Sequence, residues 1–175
     1  MSKKPNKKQE RWVKVLETGS PEQLAEVLEE ISKDGDISIV PALLSSMARH
    51  DLEPVSRAVS TMLSDVKDKR LGDILFEGLE REELRNIRVN IISIIWNAGI
   101  SLNGRLETLV RIGGEGGFEE QFEVITALDN YAGEFEEEEV LNSLIDMKEM
   151  LRASGEVTEL QQQILQKLQI LERFD

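Results

Sequence analysis

The stretch that decides the fold runs from residue 36 to residue 66 and reads DISIVPALLSSMARHDLEPVSRAVSTMLSDV. Apolar residues recur in it with i, i+3, i+4, i+7 spacing, first at Val40, Leu43, Leu44 and Met47, then at Val55, Ala58, Val59 and Met62. This spacing places each set on one face of an α-helix. The proline before Val55 suits the first turn of the second helix. The stretch therefore predicts a helical hairpin with one apolar face on each helix.

The stripe of the second helix recurs along the chain. Its counterparts begin at Leu24, Ile87 and Gln121, so that successive copies lie 31, 32 and 34 residues apart. No alternation of apolar and polar residues typical of a β-strand appears. A helix hairpin repeated at this period is typical of an α-solenoid, because one hairpin cannot bury its apolar face alone.

Helix-breaking residues separate the predicted helices. Gly19, Ser20 and Pro21, for example, combine a helix stop, an N-cap and a proline suited to the first helical position. These breaks predict about five antiparallel helix pairs, near residues 6–33, 37–66, 69–98, 101–132 and 135–174. We therefore expect an all-α fold, a single domain over residues 1–175 built as a right-handed α-α solenoid. The segment from Arg85 to Ala98, apolar nearly all round, suits a central helix.

The hairpin at residues 37–66 resembles a HEAT repeat. Its first helix carries Pro41 and its second opens at Pro54, with Asp51 in the turn and Arg57 early in the second helix, where the family often has Asp and Arg. The likeness covers about residues 20–133 and is degenerate outside this repeat. The resemblance implies an armadillo-like helical solenoid, and such proteins are mostly protein-binding scaffolds, with a minority of enzymes of the bilin-lyase type.

Composition excludes several classes of function. With 40% hydrophobic and 31% charged residues the chain is expected to fold, and its net charge of −13 opposes binding to nucleic acid or to an anionic membrane. The absence of cysteine excludes disulfides and thiolate metal sites. The single histidine argues against a histidine metal site or a catalytic triad. We expect no cofactor and no metal.

The first residues are basic, in contrast to the rest of the chain. Cations outnumber acids by five over residues 1–14, through Lys3, Lys4, Lys7, Lys8, Arg11 and Lys14 against Glu10. No apolar run follows that would make a secretion signal, and no window is apolar enough to span a membrane. We expect a soluble, cytoplasmic protein in which residues 1–8 form a flexible basic arm. The alternative is that this arm folds against the acidic body.

Three motifs suggest chemistry and are better interpreted as structural features. His50 lacks an evident nucleophile and partner, so we expect an exposed turn histidine. Asp34, Gly35 and Asp36 lack the rest of a calcium loop and predict a helix stop. The glycine-rich run at residues 113–117 lacks the Lys-Ser or Lys-Thr of a phosphate loop. It predicts a flexible turn, with a hinge as the functional hypothesis.

Acidic residues dominate one segment. Ten of them, without a lysine or arginine, lie between Glu115 and Glu139. A solvated helical face is the plain interpretation, with acids favoured where a helix begins. The alternative is a docking patch for a basic partner.

Five residues are candidates for partner contacts. At the repeat offsets Asp65, Asn97 and Tyr131 are equivalent and would form a row on the concave side, which second helices usually line. Arg57 and Arg88 lie earlier on their helices, and exposed aromatic and arginine side chains are typical of binding hot spots. The alternative is that both arginines bind loop carbonyls and acids. Trp96 is interpreted as a core residue.

We therefore predict a non-enzymatic interaction or scaffold module that binds a protein or peptide on its concave face, without catalytic residues. The alternative is a small-molecule-binding protein or a carboxylate-based, lyase-type enzyme with its site in the concave groove. A closed apolar pocket with two converging acids would favour the enzyme, and an open groove would favour the scaffold.

Overall fold

The computed structural model describes residues 7–50 and 53–173, and over these residues the chain is helical without a strand. Its ten α-helices are α1 (Lys7–Thr18), α2 (Pro21–Asp34), α3 (Val40–His50), α4 (Glu53–Ser64), α5 (Arg70–Glu80), α6 (Arg88–Asn97), α7 (Leu106–Glu115), α8 (Phe118–Asn130), α9 (Glu137–Ala153) and α10 (Glu159–Arg173). Two 3-10 helices, Ile37–Ile39 and Glu82–Ile87, lead into α3 and α6. The prediction of an all-α fold is confirmed. Within the described residues no helix is long and apolar enough to cross a membrane.

The chain divides into two compact units, Met1–Ile94 and Ile95–Asp175, called here the N-terminal unit and the C-terminal unit. The helices follow each other as the predicted pairs, and four of the five predicted pairs begin within about two residues of an observed helix start. The arrangement of these pairs as one solenoid domain stays a prediction.

In the N-terminal unit the two helices of each of the first two pairs pack on each other, and α1, α2 and α3 also pack on the helix two places along. α1 packs on α2 and α3, α3 on α4 and α5, and α2 on α4, while the second 3-10 helix contacts α3 and α5. Most residues of the predicted apolar stripes are buried in the core, but in α4 Ala58 is exposed and Met62 is half-buried. The fully buried side chains of this core include Trp12, Leu16, Leu24, Leu43, Leu44, Met47, Val59, Leu63, Leu75 and Leu79.

The start of α2 forms as its sequence predicts. The Ser20 side chain accepts a hydrogen bond from the Gln23 amide, and the Gln23 side chain accepts one from the Ser20 amide at 2.9 Å. Pro21 occupies the first turn, where no amide donor is needed. At the other end Asp34 is the last helical residue and Gly35 the C-cap, so the predicted helix stop is confirmed.

Basic residues of α1 contact acids of α2. Lys8 Nζ lies 2.7 Å from the Asp34 carboxylate, and Arg11 pairs with Glu30, which also accepts the Trp12 Nε1 proton at 2.9 Å. These contacts agree with the alternative in which basic N-terminal residues fold against acids of the same chain. Lys7 and Lys8 lie in α1, residues 1–6 lie outside the described part, and the flexible arm over residues 1–8 stays a prediction.

The helix α6 is apolar on several sides, as expected for a central helix. Ile91, Ile92, Ile94 and Ile95 are all buried although they lie on different faces of the helix. It begins later than predicted, because residues 82–87 form a 3-10 helix in which Leu84 and Ile87 are already buried.

In the C-terminal unit α7 packs on α8, α9 and α10, and α10 packs in turn on α8 and α9. The core is again built from the predicted stripes together with residues of the last two helices. Its buried side chains include Leu106, Leu109, Val110, Val124, Ala127, Val140, Leu144, Met147, Ile164 and Leu168.

The glycine run is not the predicted flexible turn over its whole length. Gly113 and Gly114 lie inside α7 and are buried, and only Gly116 and Gly117 separate α7 from α8. A Cβ atom on Gly113 would lie 2.6 Å from Ile164 Cδ1, and one on Gly114 would lie 2.6 Å from the sulfur of Met150. These two glycines therefore allow other helices to approach the backbone of α7, and a hinge within residues 113–117 stays a hypothesis.

The start of α7 also differs from its prediction. Residues 101–105 are not helical. Gly104 interrupts the chain there with a φ of +75°, a left-handed conformation that favours glycine. The Glu139 carboxylate of α9 accepts the amide protons of Gly104 at 3.0 Å and Leu106 at 2.6 Å. A distant, buried side chain thus caps α7, and no local pattern could reveal it.

Candidate functional site

A surface groove of the N-terminal unit lies between α2 and α4 and has a volume of about 610 Å³. Its lining residues are Pro21, Ala25, Leu28, Glu29, Ser32, Pro54, Val55, Ala58, Thr61, Met62 and Asp65. Leu28 and Val55 are buried at its floor and Met62 is half-buried, whereas the other lining residues are exposed. The groove is therefore an open, mainly apolar trough rather than a closed pocket.

The two walls of the groove repeat each other. Pro21 and Pro54, and likewise Ala25 and Ala58, are identical residues that lie 33 positions apart. Pro21 and Ala25 on α2 are spaced i, i+4, and so are Pro54 and Ala58 on α4. On each helix the proline and the alanine therefore lie one turn apart on a single face. Small side chains at these positions leave the space between the helices unfilled.

The helices α2 and α4 run in the same direction along this groove. Their C-terminal residues Ser32 and Asp65, together with Ile31 and Met62, also line a neighbouring cavity of about 400 Å³ beside the first 3-10 helix. The groove thus follows two parallel helices from their first turns to their last, a length of roughly 17 Å at 1.5 Å per residue.

Acidic side chains lie on the rim of the groove. Glu29 pairs with Lys33 one turn along α2 at 2.7 Å, and the hydrogen bond and charge of Lys33 lower the pKa of Glu29. Asp65 is exposed at the far end, just after α4. No lysine, arginine or histidine is among the residues that line the groove.

Of the predicted partner-binding residues, only Asp65 lines this groove. Arg57 is exposed on α4, with its Nε 3.0 Å and its Nη2 2.5 Å from Glu53 Oε1. Arg88 donates from Nε to the carbonyl of Leu79 at 3.0 Å. Both contacts agree with the alternative in which the arginines bind acids and loop carbonyls, and their role toward a partner stays a prediction.

The other two predicted residues belong to the C-terminal unit. Asn97 is exposed at the end of α6, and Tyr131 is half-buried just after α8, with its hydroxyl 3.2 Å from Ser101 Oγ and its ring 4.8 Å from that of Phe135. Tyr131 and Trp96 line one cavity of about 230 Å³. Trp96 is half-buried rather than part of the core, and its Nε1 donates to Glu123 at 2.9 Å.

The remaining motifs are the helix stop at residues 34–36 and the turn histidine His50. Asp34 pairs with Lys8, and Asp36 accepts the Ser38 amide at 2.9 Å, so both carboxylates serve local structure. His50 ends α3, but its side chain and Asp51 lie outside the described part of the chain. Among residues 7–50 and 53–173, no group of three or more histidine, aspartate or glutamate side chains could hold a metal ion.

Our sequence reasoning did not single out the groove residues Pro21, Ala25, Pro54 and Ala58 as a site. Ala58 was predicted on the core-facing stripe of α4 but is exposed in the groove, whereas Pro21, Ala25 and Pro54 lie beside the predicted stripes. Their identity at an offset of 33 residues is the signal that could have revealed them.

Comparison with known proteins adds no relative to this geometry: no protein-family model, no curated protein and no solved structure matches the chain.

Proposed function

We propose that this protein is a non-enzymatic interaction module whose second helices bind a helix of a partner protein in the groove between α2 and α4. The observation that carries the proposal is the open, apolar trough of about 610 Å³ with small residues on both walls. Grooves of this kind take amphipathic helices, which lay their apolar face between two existing helices.

A HEAT-like α-solenoid is the architecture that we propose for the hairpins. In its favour, first helices pack on first helices (α1 on α3, α7 on α9) and second helices on second helices (α2 on α4, α8 on α10). This order of contacts within each unit is the one expected for stacked hairpins. In such a stack the second helices would form one face.

The dimensions favour a helix over an extended peptide. The walls are two parallel helices with matched positions over about three turns, so a third helix can contact both along its length. Apolar side chains on one face of that helix would reach Leu28 and Val55 at the floor, both nearly buried already. An extended peptide would find no strand edge here to pair with.

The rim predicts the charge of the partner. Asp65 is exposed and none of the described residues that line the groove is a cation, so a lysine or arginine beside the apolar face of the partner would find complementary charge there, whereas Glu29 is already paired with Lys33. Such rim charges mainly raise the rate of association and fix orientation, whereas the apolar contacts supply affinity.

The volume also lies in the range of small-molecule sites, which keeps that alternative as a second candidate. Two features weigh against a carboxylate enzyme. The groove is open along its length, and Glu29 has a lowered pKa because of Lys33, whereas a general acid requires a raised one. Asp65 is exposed at the far end of the groove and lacks the dry surroundings of a catalytic acid.

The proposal can be tested by selecting helical peptides from a displayed library against the wild-type protein and measuring their affinities. We expect enriched peptides with apolar residues at i, i+4 and i+7 and flanking lysine or arginine. Ala58→Arg should weaken them about tenfold or more, because it places a long charged side chain in the groove. Glu77→Gln is the control. It changes the net charge by the same amount as Ala58→Arg at an exposed position of α5, outside the groove, and should leave binding unchanged.

Equal binding to the wild type and to Ala58→Arg would overturn the groove as the site. Failure to enrich any helical peptide, together with saturable binding of a small apolar compound that Ala58→Arg abolishes, would replace the interaction module by the small-molecule alternative. An Arg57→Ala variant tested in parallel decides whether the predicted arginine contributes.

A further inference from the structure

Two phenylalanines are exposed one turn apart on α8 in the C-terminal unit. Phe118 is 71% exposed and Phe122 is 53% exposed, and their ring centroids lie 6.4 Å apart with an interplanar angle of 17°. Single exposed apolar side chains are normal on a protein surface, whereas contiguous exposed apolar area is typical of an interaction site. Their i, i+4 spacing makes a continuous apolar strip on one face of α8.

A small cavity adjoins this strip. It has a volume of about 360 Å³ and lies between the start of α8 and the start of α10, lined by Phe118 together with Gly116, Gly117, Gln121, Thr158, Glu159, Leu160 and Gln163. Two hydrogen bonds hold the base of the cavity in place. The side-chain Nε2 of Gln121 donates to the Gly116 carbonyl at 2.8 Å, and Thr158 Oγ1 donates to Gln121 Oε1 at 2.7 Å. An apolar side chain of a partner could enter it beside the Phe118 ring.

The surroundings of the strip are acidic. Glu115, the last residue of α7, and Glu119, the residue after Phe118, are both exposed, and they belong to a segment of ten acids without a lysine or arginine from Glu115 to Glu139. The cation that α10 supplies to α8, Lys167, is paired with Asp129. Exposed carboxylates and exposed aromatic rings therefore lie close together in the sequence around the start of α8.

We propose that this face, formed by Phe118, Phe122, Glu115 and Glu119, docks a cationic amphipathic helix of a partner protein. An apolar side chain of that helix would pack on the rings and in the adjoining cavity, while lysine or arginine side chains would pair with the glutamates. A cation over an exposed phenylalanine ring gains further attraction from the ring electrons.

The charge argues against other occupants. A second copy of the same face would bring acids against acids, and an anionic membrane would be repelled for the same reason. The proposed docking residues all belong to the C-terminal unit, so the proposal does not depend on whether the groove between α2 and α4 binds a partner.

The test measures binding of a synthetic Leu/Lys amphipathic helix of about three turns to the whole protein, at low and high salt. Two comparison peptides are its Leu/Glu counterpart and a lysine peptide without leucine. We expect binding of the Leu/Lys peptide alone, weakened by salt. Phe118→Ser with Phe122→Ser should reduce its affinity about tenfold or more, and Glu115→Gln with Glu119→Gln should lower the salt dependence.

The α9 pair Leu141 and Ile145 provides a matched control. These residues are also spaced i, i+4 and are 45% and 46% exposed, so Leu141→Ser with Ile145→Ser removes a comparable apolar area and should leave binding intact. Equal binding of the lysine peptide, or equal losses in both double variants, would overturn the proposal. So would a loss confined to Ala58→Arg, which would assign the peptide to the groove instead.

Discussion

The second helices of the two units meet in different ways. In the N-terminal unit α2 and α4 contact each other and leave an open trough between Ala25 and Ala58. In the C-terminal unit α8 and α10 are joined along their lengths, by the Thr158–Gln121 hydrogen bond near their starts and the Lys167–Asp129 ion pair further along. Polar side chains bridge α8 and α10, although a cavity of about 360 Å³ remains between their starts, whereas small exposed residues leave the larger groove between α2 and α4 open to a partner.

The backbone of α7 contributes to the closed arrangement. Gln161 of α10 donates to the Gly114 carbonyl at 2.7 Å, and Ile164 contacts Gly113 where a side chain would otherwise lie. Small residues therefore have opposite effects in the two units. Alanines on exposed helix faces create a groove, and glycines on a buried face remove one.

The strongest test of this comparison exchanges small residues for leucine in both units. Gly113→Leu should lower the free energy of unfolding by about 3 kcal/mol, because the new side chain would meet Ile164 and Val124 in a filled core. Ala25→Leu should change it by less than about 0.5 kcal/mol, since that position is exposed. Urea denaturation followed by circular dichroism measures both. Similar small effects would show that the glycine is not packed as described.

A second test compares how a helix start is capped in each unit. Glu139→Ala should cost about 2 kcal/mol, because it leaves the amides of Gly104 and Leu106 without their buried carboxylate. Ser20→Ala removes an exposed local cap from α2 and should cost about 1 kcal/mol. Glu139→Gln keeps an acceptor and should lie between the wild type and Glu139→Ala. An unchanged exchange rate of the Leu106 amide proton in Glu139→Ala would contradict the capping role.

The smallest expected effect comes from one buried serine in each unit. Ser46 on α3 and Ser143 on α9 are buried, and neither hydroxyl has a hydrogen-bond partner among the described residues. Ser46→Ala and Ser143→Ala should each raise the free energy of unfolding by about 0.5 kcal/mol, because they remove an unsatisfied polar group. Ser64→Ala is the control, since its hydroxyl donates to the Ser60 carbonyl at 2.8 Å, and it should bring no gain. A loss of stability in Ser46→Ala or Ser143→Ala would indicate that the hydroxyl is in fact bonded.

The helices could be predicted because their signals are local. The stripe at Leu24, Val27, Leu28 and Ile31 repeats with the period of a helix, and every one of these residues is buried. Ser20 and Pro21 marked the start of α2 for an equally local reason. The order of the pairs followed from the same stripes, whereas the division into two units left no mark in the sequence that we could identify.

Contacts between distant residues account for what the sequence could not predict. Gly113 and Gly114 looked like a turn because four glycines lie within five residues, yet their burial depends on Ile164 and Met150. Among the predicted site residues, Asp65 reaches the groove, while Arg57 is paired with Glu53. Exposure and pairing are set by the packing of whole helices, which repeat offsets describe only in outline.

The two tryptophans give each unit its own optical reporter. The chain contains two, of which Trp12 is buried in the N-terminal unit and Trp96 is half-buried in the C-terminal unit. Their indole groups therefore sit in media of different polarity, each hydrogen-bonded to a glutamate. Fluorescence from a single-tryptophan variant, Trp12→Phe or Trp96→Phe, would thus follow the melting of one unit at a time. A ligand could be assigned to the unit whose emission it shifts, before any contact residue is mutated.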